Sequence, residues 1–185
     1  MSSSIERLKN KVLSRSRSKI WEEAVKEWDI TDCEEDESLE SECVCGQEGL
    51  RYLYTIKNRE TGLILFPIGS RCIKRFERED LNEEISVREK MYKLLHAAAD
   101  RKFIELNSEF FSRKLLLKLY DEGAFVPSEY NDYNAYNDYL FLRNCFNARS
   151  ISPKQEAKAR AVIAGQILPY LRKTLKIREK KGMTS

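Results

Sequence analysis

The chain has 185 residues, of which 42% are hydrophobic and 34% are charged, and its formal net charge is +3. This composition is typical of a globular protein and excludes collagen-like and low-complexity sequence. No apolar run reaches the roughly 18 residues that a membrane span requires, and no signal peptide is recognised at the amino terminus. We therefore expect a cytoplasmic protein with no membrane segment, whose five cysteines are thiols or metal ligands and not disulfides.

The amino-terminal segment, residues 1–31, is predicted to be helical. Apolar residues recur at helical spacing from Ile5 to Trp28, which indicates one long helix or two short ones. A Ser/Arg run at residues 14–18 interrupts this pattern. We favour a bend or a solvated helix face there over an RNA-binding or phosphorylated tract. The spacing places Trp21 and Trp28 on one face, where two indoles indicate core packing more than base stacking.

The next segment is strongly acidic. Residues 32–46 carry seven carboxylates and no basic residue. Like charges at this density repel one another and resist burial, so residues 29–42 are predicted to form a loop. The loop is either a solvated linker or a surface that imitates nucleic-acid phosphates and attracts a basic partner. The candidate partner-binding residues within it are Glu34, Glu35, Asp36 and Glu37.

Residues 32–80 are predicted to contain a small finger-like module. The module begins with the run Cys43-Val44-Cys45-Gly46 and reaches Cys72 at the start of a helix, with a hairpin between them. Two thiols on a glycine-ended turn and a third at a helix start form the plan of a treble-clef zinc finger. In such a finger a structural Zn²⁺ fastens the hairpin to the helix.

The pattern leaves the fourth metal ligand open. One residue separates the first two cysteines, instead of the usual two, and Arg75 stands where the helix would offer a second ligand. Cys33 is the best chemical match, with His96, Gln47 and the acidic residues near Glu42 as alternatives. Two alternatives to a structural metal site are a metal-free hairpin with buried thiols and a catalytic thiol. The predicted zinc ligands are Cys43, Cys45, Cys72 and Cys33.

The hairpin is predicted from alternation of side chains. Residues 50–57 alternate in the manner of a half-buried strand, Gly62 permits the turn, and residues 63–68 form the partner strand. Pro67 lacks a backbone N–H, which indicates an edge strand. Basic side chains on the hairpin and the following helix could contact a phosphate backbone. They are Arg51, Lys57, Arg59, Arg71, Lys74 and Arg75.

Residues 81–185 are predicted to form a helical domain. One helix opens after Asn107-Ser108 and closes at Gly123, and the last helix begins with a capping box at Ser152. Pro169 is expected to bend that last helix. The basic tail, residues 172–181, is read as a solvated helix end and secondarily as an arm for nucleic acid.

A tyrosine-rich stretch lies within this helical half. Tyrosine recurs every third residue from position 130 to position 139, with Asn or Asp in most of the gaps. The spacing predicts one face of a helix that continues to Phe146. This face either binds a protein partner or lines an internal helix interface. The candidate partner-binding residues are Tyr130, Tyr133 and Tyr136.

These elements predict an α+β fold that is mostly α, with a small zinc-finger-like β-hairpin module packed with a helical bundle. Catalysis has little support, because the single histidine, His96, lies in a helical pattern and has no nucleophile beside it. No phosphate-binding glycine loop or nucleophile elbow is present in the sequence. We therefore expect that the protein is not an enzyme.

The run Cys43 to Gly46, the strand that follows, and the run Phe66-Pro67-Ile68-Gly69-Ser70-Arg71-Cys72 resemble a finger-like module in small proteins of phages and mobile elements of Gram-positive bacteria. The helix start at Ser152 resembles a recurring element in the same setting. That family often has a histidine just after the first two cysteines, where this chain has Gln47. Proteins of this size and origin include metal-containing anti-CRISPR proteins that bind a type II effector nuclease.

Two functions follow from this resemblance and from the charges. The first is a non-enzymatic phage or prophage inhibitor, an anti-CRISPR protein. It would bind a type II CRISPR effector nuclease of the bacterial host through the acidic strip and the tyrosines and block nucleic-acid loading. The second is a nucleic-acid-binding zinc-finger accessory protein of a mobile element, which would use the basic finger and tail. The two functions differ in the charge of the surface that would bind the partner, which is acidic in the first and basic in the second.

Overall fold

A computed structural model describes residues 2–179 of the chain, and these residues form a mixed α+β fold with one four-stranded sheet. The fold class predicted from the sequence is confirmed. No described helix has the length and apolar character needed to cross a membrane. In chain order, the elements are α1 (Ser4–Arg15), α2 (Trp21–Ala24), β1 (Trp28–Asp36), β2 (Tyr52–Asn58), β3 (Ile64–Ile68), α3 (Ser70–Lys74), α4 (Glu79–Ala99), α5 (Arg113–Asp121), α6 (Ala135–Asn147), α7 (Pro153–Val162), α8 (Leu168–Thr174) and β4 (Lys176–Arg178).

The described chain divides into two compact units. The first contains the residues up to Ser86 together with those from Lys176 onward, and the second is Val87–Leu175. This division differs from the predicted segments 1–31, 32–80 and 81–185. The physical reason is that β4 pairs with β1, which joins the carboxyl-terminal segment to the first unit.

The sheet of the first unit has the strand order β3-β2-β1-β4. Strands β1 and β2 are antiparallel, with Cys33 opposite Tyr54, and β2 and β3 form the predicted hairpin. Strand β3 lies at one edge of the sheet, as the proline in it predicted. At the other edge, β4 runs parallel to β1, with Glu34 opposite Lys176 and Glu35 opposite Ile177.

The predicted acidic loop is wrong for residues 29–36, which belong to strand β1. Counting charges along the sequence suggested mutual repulsion, but each carboxylate of this strand has its own partner in the fold. Asp32 pairs with Lys176, Glu34 with Arg178, and Glu35 with Arg51. Opposite charges across adjacent strands stabilise a sheet, so the acidic strand is compatible with burial on one side.

Of the two alternatives predicted for residues 5–28, the single long helix is wrong and the two short helices are found as α1 and α2, but the helical stretch ends at Glu27, in a 3-10 turn, and does not include Trp28. Helix α1 ends at Arg15, and the Ser/Arg run forms the favoured bend, because the buried Ser16 hydroxyl donates to the Val12 carbonyl at 2.8 Å. Ser16 Oγ also accepts a 2.8 Å hydrogen bond from the indole Nε1 of Trp28. Trp28 begins β1, so it does not share a helix face with Trp21.

The second unit is built from helices around one apolar core. Helix α5 begins at Arg113, after the N-cap Ser112, and not at Asn107-Ser108 as predicted, because Asn107 closes a separate turn. Gly123, with φ of 82°, follows the end of α5 as expected. The buried core of this unit includes Leu94, Phe111, Leu115, Leu116, Leu119, Leu142, Ile167 and Leu171.

The last helical stretch begins with the predicted capping box, in which Ser152 and Gln155 cap one another. A π turn, Ile163–Ile167, separates α7 from α8, and Pro169 lies at the start of α8. The proline therefore follows a widened turn. Of the predicted basic tail, the part from residue 180 onward lies outside the described residues.

Candidate metal centre

Three of the four predicted metal ligands converge in the first unit. The Sγ atoms of Cys43, Cys45 and Cys72 all lie within 4.8 Å of one another, and all three side chains are buried. Cys43 and Cys45 lie on the turn that precedes the hairpin, and Cys72 is the third residue of α3. The group could hold a metal ion.

The turn that carries the first two cysteines depends on glycine. Gly46 has φ of 88° and donates its N–H to the Cys43 carbonyl at 2.7 Å, while Cys43 N–H donates to the Gln47 carbonyl at 2.8 Å. A Cβ at position 46 would lie 2.3 Å from Nη1 of Arg7. Glycine is therefore required by the positive φ, whereas the flexible end of the Arg7 side chain could move aside.

The hairpin and the start of α3 bring the third cysteine to this turn. Val44 N–H donates to the Pro67 carbonyl at 2.9 Å, which ties the turn to the end of β3. Gly69, the N-cap of α3, donates its N–H to Cys43 Sγ at 3.3 Å. These contacts hold Cys72 in position beside Cys43. The order of turn, hairpin and short helix is compatible with the zinc-finger-like module expected from the sequence.

The spacing of the sulfurs suits a common metal ion. Cys43 Sγ and Cys72 Sγ are 3.7 Å apart. Two thiolates bound tetrahedrally to one Zn²⁺, with Zn–S distances of about 2.3 Å, lie about 3.8 Å apart. A disulfide would require about 2.05 Å. The donor set and its spacing therefore fit a thiolate-bound metal ion such as zinc.

The thiols also perturb one another's protonation. The hydrogen bond with Cys72 lowers the pKa of Cys43 to about 5, and backbone N–H groups of Cys45 and Gly69 contribute in the same direction. The same contact raises the pKa of Cys72, because a neighbouring thiolate disfavours a second negative charge. Concentrated thiolate charge of this kind is stabilised when a cation binds between the sulfurs.

The predicted fourth ligand is not part of this group. Cys33 lies on β1 with its Sγ near the Glu34 carbonyl, at 3.9 Å, and among the described residues no other Cys, His, Asp or Glu side chain joins the three sulfurs. Of the alternatives, Gln47 is exposed and Glu42 lies beside Gly46, while His96 belongs to the second unit. Cys33 stays apart from the three sulfurs because its position is fixed in the sheet, where it pairs with Tyr54.

The predicted acidic partner-binding surface is mostly structural. Glu35 and Asp36 are 0% and 2% exposed, and Glu34 is half-buried and pairs with Arg178, so Glu37 is the one exposed residue of these four. Asp36 accepts hydrogen bonds from the hydroxyl and N–H groups of Ser38 and Ser41 at 2.5 to 3.1 Å. The hydroxyl hydrogen bonds lower the pKa of Asp36 to about 2.

The tyrosine stretch does not form one helix face. Tyr130 belongs to a 3-10 turn, Tyr133 has a left-handed backbone with φ of 56°, and α6 begins only after Asn134 caps it. The first two tyrosines are exposed, whereas Tyr139 is buried and stacks on Tyr120 with ring centroids 5.0 Å apart. The internal-interface alternative therefore holds for Tyr139, and partner binding by the exposed Tyr130 and Tyr133 stays a prediction.

The basic residues of the predicted finger differ in whether they have partners. Arg51 pairs with Glu35 at 2.8 Å and Arg59 pairs with Asp29 at 3.3 Å. The exposed cations of α3 have no hydrogen-bonding or ion-pair partner within residues 2–179. We call them the α3 cations, and they are Arg71 and Lys74 of α3 and Arg75, the C-cap residue of that helix.

Sequence reasoning missed the pairing of the acidic strand with the basic tail. Both segments were visible, and their opposite charges were the available signal. Strand β4 has only three residues, too few for a period-two pattern to be recognised. A second missed feature is a polar cluster in which the buried Asp138 accepts hydrogen bonds from the buried Asn131 and the half-buried Gln166.

Comparison with known proteins identifies no relative of this chain. The chain matches no protein-family model, and it has no match among curated proteins or solved structures.

Proposed function

We propose that the first unit is a zinc finger that binds nucleic acid, and that the α3 cations provide its phosphate contacts. The observation that carries this proposal is that Arg71, Lys74 and Arg75 are exposed and lack partners in the described chain, on the helix that holds Cys72. Residues spaced three and four apart share one side of a helix, so the three charges act together. Several such contacts to phosphates provide sequence-independent affinity.

Zinc would give this helix its rigidity. Helix α3 has five residues, which is too short to be stable through its own hydrogen bonds. Three buried thiols at its start and on the adjacent turn suit Zn²⁺, which binds thiolates in structural sites. Bound zinc would tie α3 to the hairpin and hold the cations in one arrangement. The free energy of metal binding would then contribute directly to folding of this unit.

The compensation of charge along β1 favours nucleic acid over binding of a basic partner through that strand. The carboxylates of β1 at positions 32, 34 and 35 are neutralised by Lys176, Arg178 and Arg51. The α3 cations have no such compensation within residues 2–179. A free positive surface attracts phosphates, whereas a neutralised acidic strand offers a basic partner little net charge.

A binding assay tests this proposal. The zinc-loaded chain is titrated into fluorescent single-stranded DNA, duplex DNA and RNA at several salt concentrations. We expect binding that weakens steeply with salt, with a slope of about 0.9 per phosphate contact for a duplex. Changing Arg71, Lys74 and Arg75 to glutamine should weaken binding about tenfold or more and reduce that slope.

A matched variant separates this effect from net charge. Arg149, Lys154 and Lys173 are also exposed and without described ion pairs, but they lie in the second unit. Their change to glutamine removes the same charge and should leave binding within about twofold of the parent. Equal loss in both triple variants, or no binding of the zinc-loaded parent at low salt, would overturn the proposal.

We retain the anti-CRISPR inhibitor as a second proposal, and its support is the exposed pair Tyr130 and Tyr133. Large exposed aromatic residues suit a protein interface. The test is DNA cleavage by a type II effector nuclease that has been incubated with the chain before guide RNA is added. The inhibitor proposal requires cleavage to stay blocked when target DNA is in large excess over the chain. Recovery of cleavage under excess DNA would instead indicate that the chain only sequesters DNA.

A further inference from the structure

We propose that the segment between α5 and α6, residues 124–134, is a preformed docking surface for a lysine- or arginine-bearing segment of a protein partner. We call this segment the tyrosine loop. The proposal concerns the second unit alone and does not rest on nucleic-acid binding by the first. It is carried by the exposure of two tyrosines, by the hydrogen bonds that fix their backbone, and by the charge around them.

The tyrosine loop exposes aromatic surface that the fold does not use. Tyr130 is 82% exposed and Tyr133 is 74% exposed, and Val126 between α5 and Tyr130 is also exposed. In contrast, Tyr139 of α6 is buried against Tyr120 and Phe125. The unit therefore has an aromatic core and, separately, an aromatic surface. Large exposed apolar surfaces mark interaction sites, and these two tyrosines and Val126 lie within one segment of eight residues.

The backbone beneath these tyrosines has an unfavourable conformation. Asp132 and Tyr133 are consecutive and both left-handed, with φ of 55° and 56°. This conformation costs roughly 1 to 2 kcal/mol for a residue with a Cβ, and tyrosine is not among the residues that tolerate it well. Such strain persists only where surrounding contacts determine the backbone, and it clusters at functional sites.

A closed ring of hydrogen bonds supplies those contacts. The buried Asn131 side chain donates to the Val126 carbonyl at 2.9 Å and to Asp138 Oδ2 at 2.7 Å. Gln166 donates to the same Asp138 oxygen at 2.7 Å, and its own Oε1 accepts the Val126 N–H at 2.8 Å. The ring thus returns to Val126. It fixes Val126 and Asn131 of the loop against Asp138 of α6 and Gln166 of the π turn.

The π turn contributes one residue to this ring of hydrogen bonds. Gln166 is part of the π turn Ile163–Ile167, which interrupts an otherwise continuous α-helical stretch. Single π turns occur often at functional sites, where they redirect one side chain. Here the redirected side chain reaches Asp138 and the loop. Asn131 also accepts the Ser128 N–H at 2.8 Å, so its amide is fully used in holding the loop.

The charge around the loop identifies the class of partner. Residues 119–142 contain no lysine or arginine, and Glu129 and Asp132 directly precede Tyr130 and Tyr133. Both carboxylates are exposed and have no ion pair within the described part of the chain. Carboxylates repel phosphates, which excludes nucleic acid as the occupant. They attract ammonium and guanidinium groups, and tyrosine faces bind the same groups through cation–π contacts. The rigid tyrosine side chains lose little entropy on binding.

An NMR titration of the full zinc-loaded chain tests the proposal. The probe is the synthetic peptide Arg-Gly-Arg-Gly-Arg-Gly, compared with its glutamate counterpart and with a single-stranded oligonucleotide. We expect the arginine peptide alone to shift backbone amide signals of residues 124–136. The change Tyr130→Ala with Tyr133→Ala should weaken this binding at least fivefold. Shifts of the same signals by the oligonucleotide, or by the glutamate peptide, would overturn the choice of partner.

Two further variants separate the loop from general charge and from simple damage. Glu129→Gln with Asp132→Asn should weaken binding at least threefold, whereas Glu40→Gln with Glu48→Gln, two exposed carboxylates of the first unit, should not. Asn131→Ala leaves both tyrosines in place and breaks the ring. It should weaken peptide binding and increase amide exchange in the loop while the signals of α5 and α7 stay unchanged. Unaltered binding by the tyrosine and carboxylate variants would refute a docking role for the loop.

Discussion

Arg178 forms an ion pair with Glu34, so the basic end of the chain and its acidic segment are partners within one sheet. Lys176 makes a second such pair with Asp32, and the two strands run parallel. The charge polarity that is visible in the sequence is therefore compensated inside the first unit. The three α3 cations have no such partner among residues 2–179. Their positive charge is therefore not compensated by an ion pair, in contrast to that of Lys176 and Arg178 on β4.

The ion pairs of β4 should contribute to stability. We expect Arg178→Glu to lower the unfolding free energy of the first unit by about 1 kcal/mol, because it places like charges beside Glu34 on adjacent strands. Thermal unfolding at low and high salt measures this, and the deficit should shrink as salt screens the repulsion. Arg75→Glu is the matched control, because Arg75 has no described partner. Equal destabilisation by both variants would contradict the pairing.

Charge reversal in the acidic segment should separate a buried from an exposed carboxylate. We expect Glu35→Lys to lower the unfolding free energy by about 3 kcal/mol or more, because it buries an uncompensated charge beside Arg51. Glu37→Lys, two residues away and exposed, should change it by less than about 0.5 kcal/mol. Urea unfolding of the two variants gives the comparison. Similar stability of the two would mean that the segment is a solvated loop after all.

The metal centre predicts different roles for two buried cysteines of the same unit. The purified chain should contain about one zinc, and Cys72→Ser should lose it and lower the melting temperature by about 10 °C or more. Cys33→Ser should retain the zinc, because Cys33 lies outside the three-sulfur group. Elemental analysis and calorimetry provide the readouts. Loss of zinc from the Cys33 variant would contradict this prediction and would indicate that Cys33 is the fourth ligand.

Asp36 should make part of the stability dependent on acid pH. Hydrogen bonds from Ser38 and Ser41 lower its pKa from 3.8 to about 2 in the folded chain. A carboxyl whose pKa is lower when folded stabilises the fold above its unfolded pKa, and this contribution is lost as pH falls from about 4 to about 2. The stability gap between the parent and Asp36→Asn should therefore be constant above pH 4 or so and narrow below it. A gap that stays constant down to pH 2 would contradict this pKa.

Local signals predicted the parts of the fold that depend on neighbouring residues. The hairpin followed from side-chain alternation, the start of α7 from the Ser152 capping box, and the end of α5 from Gly123. The convergence of Cys43, Cys45 and Cys72 was expected for the same reason, since a turn, a hairpin and a helix start bring their ends together over a short stretch of chain.

Trp28 shows why other predictions were wrong. Its spacing from Trp21 matches a helix, yet it begins β1 because its indole bonds to Ser16 and its backbone pairs with Asn58. Helical periodicity describes one segment in isolation, and it cannot include a hydrogen bond to a residue in another element. The same limit affected Tyr130 and Tyr133, whose backbone is set by the ring of hydrogen bonds through Asn131.

The amino-acid sequence by itself determined the hairpin, the glycine-ended cysteine turn and the helix caps, because these depend on backbone preferences and contacts within a few residues. Only the tertiary structure decided that residues 28–36 form a strand, that Cys33 stays apart from the other ligands, and which charges remain free. Those outcomes depend on partners distant in the chain. An acidic residue of β1 is a structural charge or a free surface charge according to whether a cation such as Arg51, Lys176 or Arg178 pairs with it. The residues next to it in the sequence do not indicate whether a cation from a distant part of the chain lies close to it in the fold.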